Sequence, residues 1–314
     1  MIMDALWFGD PGIDDTLAVV AALRSGKIRL RAACGSSGNS PSSVTSRNFS
    51  LIFKKMGINC PVYRGMYHKV SSRGENIEIH GKNGLGNVDL YGGSVSIDGG
   101  LQQLHDFLMT LDRFTIIETG PMTDLSFLMR KYGRDFTDRI EGIVAMGGSI
   151  CSGNVTPSAE FNMIADPKAA SVVVESGIPL KMITLDTTQR VKLYPKDIAW
   201  MKYSGLPMSN ELYRMLLYYF EFHKNYEGFN GCYCHDPMTV VSILDPGAIR
   251  FRSAPLKIDI THGINRGRTV FDLRHRSELV ESEVQVSTDV DEKMAKNALL
   301  TYLRGAGNYE NVED

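Results

Sequence analysis

The sequence lacks long apolar runs, blocks of like charge and a regular cysteine framework. No apolar stretch approaches the roughly 20 residues that a membrane-spanning helix requires, so we expect no membrane partner. Lysine and arginine form no cluster and the formal net charge is −2, so we expect no nucleic-acid partner. Hydrophobic residues make up 43% and charged residues 22% of the chain, which is typical of a soluble globular protein.

The cysteines are odd in number and irregularly spaced. There are five, at positions 34, 60, 151, 232 and 234. In a chain of this length, such a set is typical of reduced thiols rather than of a disulfide framework. The segment from Met1 to Asp10 has neither the charged nor the apolar region of a signal peptide. We therefore expect a cytoplasmic protein.

Short apolar segments alternate with longer amphipathic segments along the first part of the chain. The predicted strands are Ala5–Phe8, Arg29–Ala33, Phe114–Glu118, Gly142–Met146 and Leu180–Leu185. The predicted helices between them are Thr16–Leu23, Val44–Met56, Met122–Tyr132 and Pro167–Glu175, with Gly26, Gly57, Gly133 and Gly177 at the expected helix C-caps. This alternation predicts an α/β fold with an open, mainly parallel central sheet flanked by helices.

After Asp186 the pattern changes. Helical stretches at about 195–225 and 235–244 precede antiparallel-looking strands, and the last element is a helix at about 289–304. The predicted strands are Leu256–Ile260, Thr269–Leu273 and Glu283–Ser287. Because no linker or internal repeat is visible, we expect a single domain over residues 1–314. The polar, glycine-rich segment 66–100 is a candidate active-site loop.

Three aspartates lie in the segment Gly9–Asp15, between a predicted strand and a predicted helix. Asp10, Asp14 and Asp15 repel one another unless a cation or a helix N-terminus compensates their charge. In one interpretation, Asp14 and Asp15 only favour the start of the helix after a Pro11-Gly12 turn. In the other, the three form a site for Ca²⁺ or Mg²⁺, which prefer carboxylate oxygens. The turn falls at the carboxyl end of a strand, where open α/β sheets bind ligands.

A second cluster, His235-Asp236-Pro237, opens a predicted helix. Asp236 could be the N-cap of that helix with Pro237 in its first turn. His235 titrates near neutrality and could protonate a leaving group. Cys232 and Cys234 stand beside it, but they lack a second pair of ligands, so we do not expect zinc.

A third polar segment runs from Gly153 to Asp166. Asn154, Glu160 and Asn162 offer donors and acceptors that suit sugar hydroxyls. The alternative is an Asx-turn loop that leads to a helix capped by Asp166. The glycine pairs elsewhere in the chain do not have the spacing of a dinucleotide or phosphate loop.

Taken together, these motifs resemble those of the inosine–uridine nucleoside hydrolase family. The resemblance spans nearly the whole chain up to the helix that follows Asp236. The matching segments are Asp10–Asp15, Gly38-Asn39, Ile79–Gly81, Thr119–Thr123, Met146–Gly148, Gly153–Pro157, Glu160–Asn162, Asp166-Pro167 and His235–Pro237. So many motifs in one order are specific to that family. The resemblance implies an open α/β fold and hydrolysis of the N-glycosidic bond of ribonucleosides to ribose and free base.

The resemblance also implies a bound Ca²⁺ and a role for individual residues. The implied metal ligands are the carboxylates of Asp10, Asp15 and Asp236 and the main-chain carbonyl of Thr119. Asp14 matches the general base that activates water, and His235 matches the acid that protonates the departing base. The implied substrate contacts are Asn39, His80, Met146, Asn154, Glu160, Phe161 and Asn162. The family is commonly dimeric or tetrameric, so we expect a homodimer or homotetramer.

The chemistry of the reaction agrees with these residue types. Cleavage of a glycosidic bond passes through an oxocarbenium-like cation. Carboxylate and amide oxygens stabilise positive charge that develops only in the transition state. Calcium would mainly orient the ribose diol and the water.

Two positions depart from the family pattern. Phe8 stands where the family usually has an acidic residue, and Asp124 stands where it usually has asparagine. We expect Phe8 to lie outside the ligand sphere and to weaken cation affinity by the ~10–100-fold typical of such losses.

Two other functions stay open at the level of sequence. The chain could hydrolyse a non-standard riboside, or it could be a catalytically silent nucleoside-binding protein. The first would differ only in the base pocket, which we expect between the loop 66–100 and the helix around 218–229. Aromatic residues there could stack on a base or belong to the core. They are Tyr218, Tyr219, Phe220, Phe222, Tyr226, Phe229 and Tyr233.

Overall fold

The strands of the protein form one large sheet and one short ribbon in the part of the chain that the structure describes. The structure is a computed structural model that describes residues 2–68, 77–90, 93–274 and 283–305. The strands of the large sheet are β1 (Met3–Gly9), β2 (Ile28–Gly35), β3 (Val62–Arg64), β4 (Phe114–Glu118), β5 (Ile140–Met146), β6 (Leu180–Ile183), β9 (Ile249–Ile258), β10 (Thr269–Phe271) and β11 (Glu283–Val290). The ribbon pairs β7 (Lys192–Leu193) with β8 (Cys232–Tyr233).

Helices connect most of these strands. In chain order they are α1 (Ile13–Ser25), α2 (Ser42–Met56), α3 (Ile77–His80), α4 (Leu101–Leu108), α5 (Thr123–Tyr132), α6 (Arg134–Thr137), α7 (Phe161–Ala165), α8 (Pro167–Val174), α9 (Leu185–Thr188), α10 (Pro195–Ile198), α11 (Ser209–Tyr226), α12 (Pro237–Leu244) and α13 (Glu292–Arg304). A 3₁₀ helix spans Ala199–Lys202. None of the described helices is long and apolar enough to cross a membrane.

The strand order of the large sheet is β10-β9-β11-β6-β5-β4-β1-β2-β3. All neighbours from β11 to β3 are parallel, whereas β9 is antiparallel to both β11 and β10. The chain runs outward from β1 through β2 and β3, then returns to place β4 on the other side of β1. The carboxyl ends of β1 and β4 therefore form the topological switch point, where such sheets bind ligands.

Both faces of the sheet are buried. Along β1, Ala5 and Trp7 pack into one core with α1, α2, α11, α12 and α13, whereas Leu6 and Phe8 pack into a second core with α4, α5 and α8. Apolar side chains on both faces explain why the strands read as continuous apolar runs. The predicted α/β fold with a mainly parallel sheet is confirmed.

Several predicted boundaries were wrong, each because of a tertiary contact or a chain-breaking residue. Strand β6 ends at Ile183 because Leu185 starts α9 and its N–H donates to the Gly148 carbonyl. The predicted helix 195–225 is three elements, since Gly205 adopts a φ of +69° and Pro207 follows it.

Pairing between distant segments shifted other boundaries. Strand β9 begins at Ile249, earlier than predicted, because it pairs with β11 along nearly its whole length. The last helix begins at Glu292 because β11 continues to Val290 and Asp291 caps the helix. Gly177 does not cap α8, which ends at Val174. The loop predicted at 66–100 contains α3 and ends at Gly100, the N-cap of α4, and its residues 69–76 and 91–92 lie outside the described residues.

Candidate active site

A polar pocket lies at the carboxyl ends of the central strands. Side chains that follow β1, β2, β4 and β5 converge there, together with residues of α3, α11 and the start of α12. The described lining residues are Asp10, Asp14, Asn39, Ile79, His80, Thr119, Met146, Asn154, Val155, Glu160, Phe161, Asn162, Gln189, Tyr219, Phe222, His223, Glu227, Tyr233, His235 and Asp236. No lysine or arginine is among them, so the pocket floor is acidic and uncompensated by basic side chains.

Asp15 forms hydrogen bonds with residues that follow β1 and β4, the two strands of the switch point. Its Oδ2 accepts the Gly12 N–H at 3.0 Å, which caps the start of α1. Its Oδ1 accepts the Thr119 hydroxyl at 2.7 Å, and Thr119 Oγ1 in turn accepts the Trp7 indole N–H at 2.9 Å. Asp15 therefore both starts the helix and links β1 to β4. The helix-start interpretation is thus confirmed for Asp15.

Asp10 is held by the turn after β2. Its Oδ2 accepts the Asn39 N–H at 2.5 Å. A Cβ at Gly38 would come within 1.9 Å of that same oxygen, so only glycine allows the close approach. The other oxygen, Oδ1, is buried and accepts no hydrogen bond from the described residues. One carboxylate oxygen is thus left for a ligand.

Three aspartates from two distant segments meet at the base of the pocket. Asp14, Asp15 and Asp236 each place a carboxylate oxygen within 4.8 Å of the others. Asp236 is the N-cap residue of α12 with Pro237 in the first turn, as the sequence allowed, but its side chain makes no capping hydrogen bond to the helix. Asp14 Oδ1 is buried and has no described hydrogen-bond partner. The cluster is therefore positioned by the fold and not by the needs of the helix starts alone.

Burial and mutual repulsion change the acidity of these carboxyls. Burial, with repulsion from Asp15, raises the pKa of Asp14 to about 7 and the pKa of Asp10 well above its usual value. Burial and the neighbouring aspartates also raise the pKa of Asp236. Close buried carboxylates are stable as anions only beside a positive charge. Oxygen donors, unused lone pairs and the absence of a basic side chain in the lining together fit a hard divalent cation.

The Thr119 carbonyl is fixed beside this cluster. Asn162 Nδ2 donates to it at 3.1 Å and to the Met146 carbonyl at 3.2 Å, which joins the ends of β4 and β5. Glu160 caps α7 by accepting the N–H groups of Asn162 at 2.9 Å and of Met163 at 3.2 Å, and it also accepts the Gly148 N–H at 3.0 Å. Burial raises the pKa of Glu160 to about 7.

Other predicted contact residues lie around the rim. Asn154 is exposed, and its Oδ1 accepts the Phe161 N–H at 3.0 Å. This bond spans seven residues, so it closes the loop without being the Asx-turn that the sequence left as an alternative, and both residues line the pocket. Asn39 Nδ2 donates to the Asp10 carbonyl at 3.3 Å.

Two histidines face the pocket from opposite sides. His80 of α3 is buried, and its Nδ1 accepts the Ile13 N–H at 3.2 Å, so the ring proton is on Nε2. His235 Nδ1 lies 2.8 Å from the Thr188 hydroxyl. Burial lowers the pKa of each histidine to about 3, so both rings are neutral near pH 7.

The pocket also contains polar residues that the sequence did not single out, namely His223, Gln189 and Glu227. His223 Nδ1 donates to the Tyr219 carbonyl at 3.0 Å, and its ring packs edge-on to the Tyr219 ring at 4.4 Å. Because Tyr219, Phe222 and His223 are spaced i, i+3, i+4, helical periodicity could have placed them on one face of α11.

The candidate aromatic residues divide between several environments. Tyr219, Phe222 and Tyr233 line the pocket, whereas Phe220 belongs to the core. Tyr218 and Tyr226 donate hydroxyl hydrogen bonds to Ile77 and Glu78 of α3. The rings of Phe229 and Tyr233 lie 4.9 Å apart. The base pocket expected between the loop and this helix thus has an aromatic wall.

Phe8 and Asp124, the two positions that depart from the family pattern, are both buried near Glu118. Phe8 is paired in register with Glu118 across β1 and β4, and both are buried. Asp124, in the first turn of α5, accepts the Met66 N–H at 2.8 Å. Burial raises the pKa of Glu118 well above its usual value and that of Asp124 to about 6.

The pocket at the topological switch point thus combines a buried carboxylate cluster with polar and aromatic lining residues. Residues 1–297 match the model of the inosine-uridine preferring nucleoside hydrolase family. The chain belongs to this family. It is accordingly a ribonucleoside hydrolase, an N-glycosidase.

Named relatives support this assignment. The chain is 31% identical over 281 residues to the pyrimidine-specific ribonucleoside hydrolase RihA of Citrobacter koseri, covering 87% of this chain and 89% of that protein. It is 32% identical over 273 residues to RihA of Salmonella paratyphi B, covering 84% of this chain and 86% of that protein.

Solved structures agree on the fold. A plant nucleoside hydrolase, PpNRh1, matches with a TM-score of 0.87 and 25% identity, covering 97% of this chain and 99% of that one. The purine-preferring ribonucleoside hydrolase from Gardnerella vaginalis matches with a TM-score of 0.86 and 28% identity, covering 96% and 98%.

Proposed function

We propose that this ribonucleoside hydrolase depends on a bound Ca²⁺, uses Asp14 as its general base and prefers pyrimidine nucleosides. The observation that carries the proposal is the buried cluster of Asp14, Asp15 and Asp236, next to Asp10. Asp10 and Asp14 each have an oxygen without a described partner, and the described lining residues include no lysine or arginine to pair with the cluster.

The cation would be held by Asp10, Asp15 and Asp236 through carboxylate oxygens and by Thr119 through its carbonyl. All four donors are oxygens, which suits Ca²⁺. When bound, the cation would orient a ribose diol and a water molecule and lower the pKa of that water. The family resemblance favours Ca²⁺ over Mg²⁺.

Asp14 is the residue placed to take the proton of the attacking water. Its Oδ1 is buried with no described partner, whereas both oxygens of the adjacent Asp15 are already hydrogen-bonded. Without a cation, burial raises the pKa of Asp14 to about 7. A bound cation would lower this pKa and keep Asp14 ionised, as a general base must be.

The remaining pocket oxygens act on the sugar. Glu160, Asn154, Asn39 and Asn162 surround the place where a ribose would lie above the carboxylates. Their oxygens stabilise positive charge on the ribosyl ring as the bond to the base breaks. Met146 and Phe161 close the apolar side of this subsite.

Leaving-group stabilisation falls to the two histidines. With its pKa lowered to about 3, His235 acts as a neutral hydrogen-bond donor near pH 7 and not as an imidazolium. If the Thr188 hydroxyl donates to Nδ1, the ring proton is on Nε2 and is available to the base. His80, with its proton on Nε2, offers a second neutral donor.

The preference for pyrimidines is proposed from the relatives. The proteins that share 31–32% identity with this chain are named pyrimidine-specific, whereas a structural relative at 28% identity is named purine-preferring. Three further expectations are carried forward as proposals: a single domain, a homodimer or homotetramer, and a cytoplasmic location. The last is supported by five free cysteines.

The test is release of free base from uridine, cytidine, inosine, adenosine and guanosine, each with Ca²⁺ and with chelator. We expect Ca²⁺-dependent release that is fastest from uridine or cytidine. Equal rates after chelation and confirmed metal removal would refute the cation proposal. Faster release from inosine would refute the pyrimidine preference alone. No release from any of the five by folded, Ca²⁺-loaded protein would favour a non-standard riboside.

A further inference from the structure

Glu118 is a buried carboxylate with no role in the mechanism described so far. It is the last residue of β4 and is fully buried. Its Oε1 accepts the Gly120 N–H at 3.3 Å, and its Oε2 accepts no hydrogen bond from any described residue. The charged groups that act on it most strongly are Asp124, Asp10 and Asp15, all of them acidic. Such a group is costly to bury unless it serves a purpose or is held neutral.

The hydrogen bond from Gly120 connects Glu118 to the cation site. The Gly120 N–H and the Thr119 C=O belong to the same peptide group. Asn162 donates to the oxygen end of this group at 3.1 Å, while Glu118 accepts from its nitrogen end. The peptide plane is thus fixed at both ends. A negative charge at the N–H end also polarises the group and increases the negative charge on the carbonyl oxygen.

The surroundings of Glu118 determine how strongly its charge polarises the Thr119–Gly120 peptide group. Phe8 lies opposite it in register on β1, so the neighbouring side chain on the same face is apolar. Asp124, Asp10 and Asp15 oppose a negative charge on Glu118, so that charge requires the cation beside Thr119. In this buried site the charge is weakly screened and acts on the adjacent dipole more strongly than it would in water.

We propose that Glu118 is a positioning residue for the cation: its carboxylate orients and polarises the Thr119–Gly120 peptide group and so strengthens the Thr119 carbonyl as a ligand. Glu118 itself does not contact the ion. The inference rests on the proposed function, because it requires a cation at the Thr119 carbonyl.

The test is Ca²⁺ binding by isothermal titration calorimetry to the wild-type protein, Glu118→Gln and Asp124→Asn. Glutamine keeps the shape and an acceptor oxygen but removes the charge. We expect Glu118→Gln to weaken Ca²⁺ binding by roughly tenfold or more, as changes outside the ligand sphere typically do. Asp124→Asn is the matched control, because it removes a neighbouring buried carboxylate that does not bond to Gly120. We expect its affinity to remain within about threefold of wild type.

Two further measurements separate this role from a structural one. Burial raises the pKa of both acids, so replacing either one with its neutral amide removes no stabilising charge, and urea unfolding in chelator should show stability equal to or greater than that of wild type. In ¹⁵N-labelled protein with Ca²⁺, the Gly120 amide proton should lie downfield in wild type and move upfield in Glu118→Gln, since charge-assisted hydrogen bonds are shorter and stronger. If Glu118→Gln does not fold, the wild-type protein provides the test. A Gly120 amide chemical shift that does not change during Ca²⁺ titration would then overturn the proposal.

Each other outcome has one meaning. If Glu118→Gln binds Ca²⁺ with wild-type affinity, this inference is overturned and the proposed cation site is unaffected. Glu118 would then be protonated, and so uncharged, in the folded protein. Equal weakening of Ca²⁺ binding in both variants would also overturn the inference. The total buried negative charge, and not the Thr119–Gly120 peptide group, would then determine the affinity for Ca²⁺. Absence of Ca²⁺ binding to wild type would refute the proposed cation site itself.

Discussion

At the scale of single residues, adjacent aspartates have different surroundings. Asp14 and Asp15 are neighbours in α1, but successive residues of a helix point about 100° apart. Asp15 therefore points toward Gly12 and Thr119 and uses both oxygens, while Asp14 faces the pocket with one oxygen unused. The sequence identifies both as acids. Only the family resemblance, and no local pattern, assigns Asp15 to the cation and Asp14 to the water.

Replacing Asp14 with asparagine should remove the general base and little else. Asparagine has the same shape, so the pocket and the four residues proposed to hold the cation should keep their places. We expect kcat to fall by about 10²- to 10⁴-fold, the usual contribution of acid–base catalysis, while Ca²⁺ still binds by calorimetry. Base release from the preferred nucleoside is the measurement. A variant that keeps more than a tenth of wild-type kcat would exclude Asp14 as the base.

Replacing His235 with alanine should affect substrates according to their leaving group. A nucleobase leaves poorly without a hydrogen-bond donor, whereas 4-nitrophenolate leaves readily as an anion. We expect His235→Ala to lose about 10²-fold or more in kcat on the nucleoside and much less on 4-nitrophenyl riboside. The second substrate is the internal control for folding and ribose binding. Equal losses on both would mean that His235 does not act on the leaving group.

At the scale of elements, helix starts position the site. Helices α1 and α7 begin at pocket residues, and α8 follows directly after α7. Asp166 caps α8 by accepting the Ala169 N–H at 3.1 Å, and it also accepts the Thr123 hydroxyl of α5 at 3.0 Å. The sequence predicted this cap correctly, because Asp-Pro before an apolar helical pattern is a local feature. The cross-link to α5 could not be predicted, since Thr123 is 43 residues away.

Removing the Asp166 cap should lower the stability of the protein without changing its catalytic activity. We expect Asp166→Ala to lower the free energy of unfolding by about 1–2 kcal/mol, the upper range for an N-cap. The control is Asp291→Ala, which removes the cap of α13, where Asp291 accepts the Met294 N–H at 2.9 Å. Urea unfolding of both variants measures the difference. A smaller loss for Asp166→Ala than for Asp291→Ala would show that the α5 contact adds nothing.

At the scale of the whole molecule, the sheet brings like charges together. Asp10 and Asp15 follow β1, while Asp236 precedes α12 more than half a chain away. Strand order places these segments at one edge, and the surrounding core removes them from water. Stability of the whole protein should therefore depend on what neutralises the cluster.

The pH dependence of unfolding should change sign with Ca²⁺. Burial raises the pKa of both Asp14 and Glu160 to about 7, above the value of about 4 expected in the unfolded chain. The folded, chelator-treated protein thus binds more protons than the unfolded chain between about pH 4 and 7. The lowered pKa values of His80 and His235 act in the opposite direction, because the unfolded chain protonates these rings below about pH 6.5. The carboxyls with raised pKa values outnumber them, since Asp10 and Asp236 add to Asp14 and Glu160, so the melting temperature should still rise as the pH falls from 7.5 to 5.5.

With excess Ca²⁺ the melting temperature should instead fall over the same pH range, because protons compete with the cation for the carboxylates. Differential scanning calorimetry at fixed ionic strength measures both series. A chelated protein that loses stability on acidification would contradict the raised pKa values.

The sequence by itself determined the local structure and the chemical character of the site. Apolar runs, helix periodicity and cap residues predicted most strands and helices to within a few residues, since these depend on near neighbours. Motifs at strand ends named the aspartates, asparagines and histidines that converge in the pocket. Their family resemblance was specific enough to imply the reaction.

Only the tertiary structure decided which of these groups touch. The Thr119 hydroxyl reaches Asp15 across 104 residues because β4 lies beside β1, and no local pattern encodes that adjacency. The same applies to His223, whose pocket position depends on how α11 packs, and to Glu118, which lies opposite Phe8 and accepts the Gly120 N–H. Burial, which sets the acidity of every carboxyl in the site, arises when distant segments exclude water together.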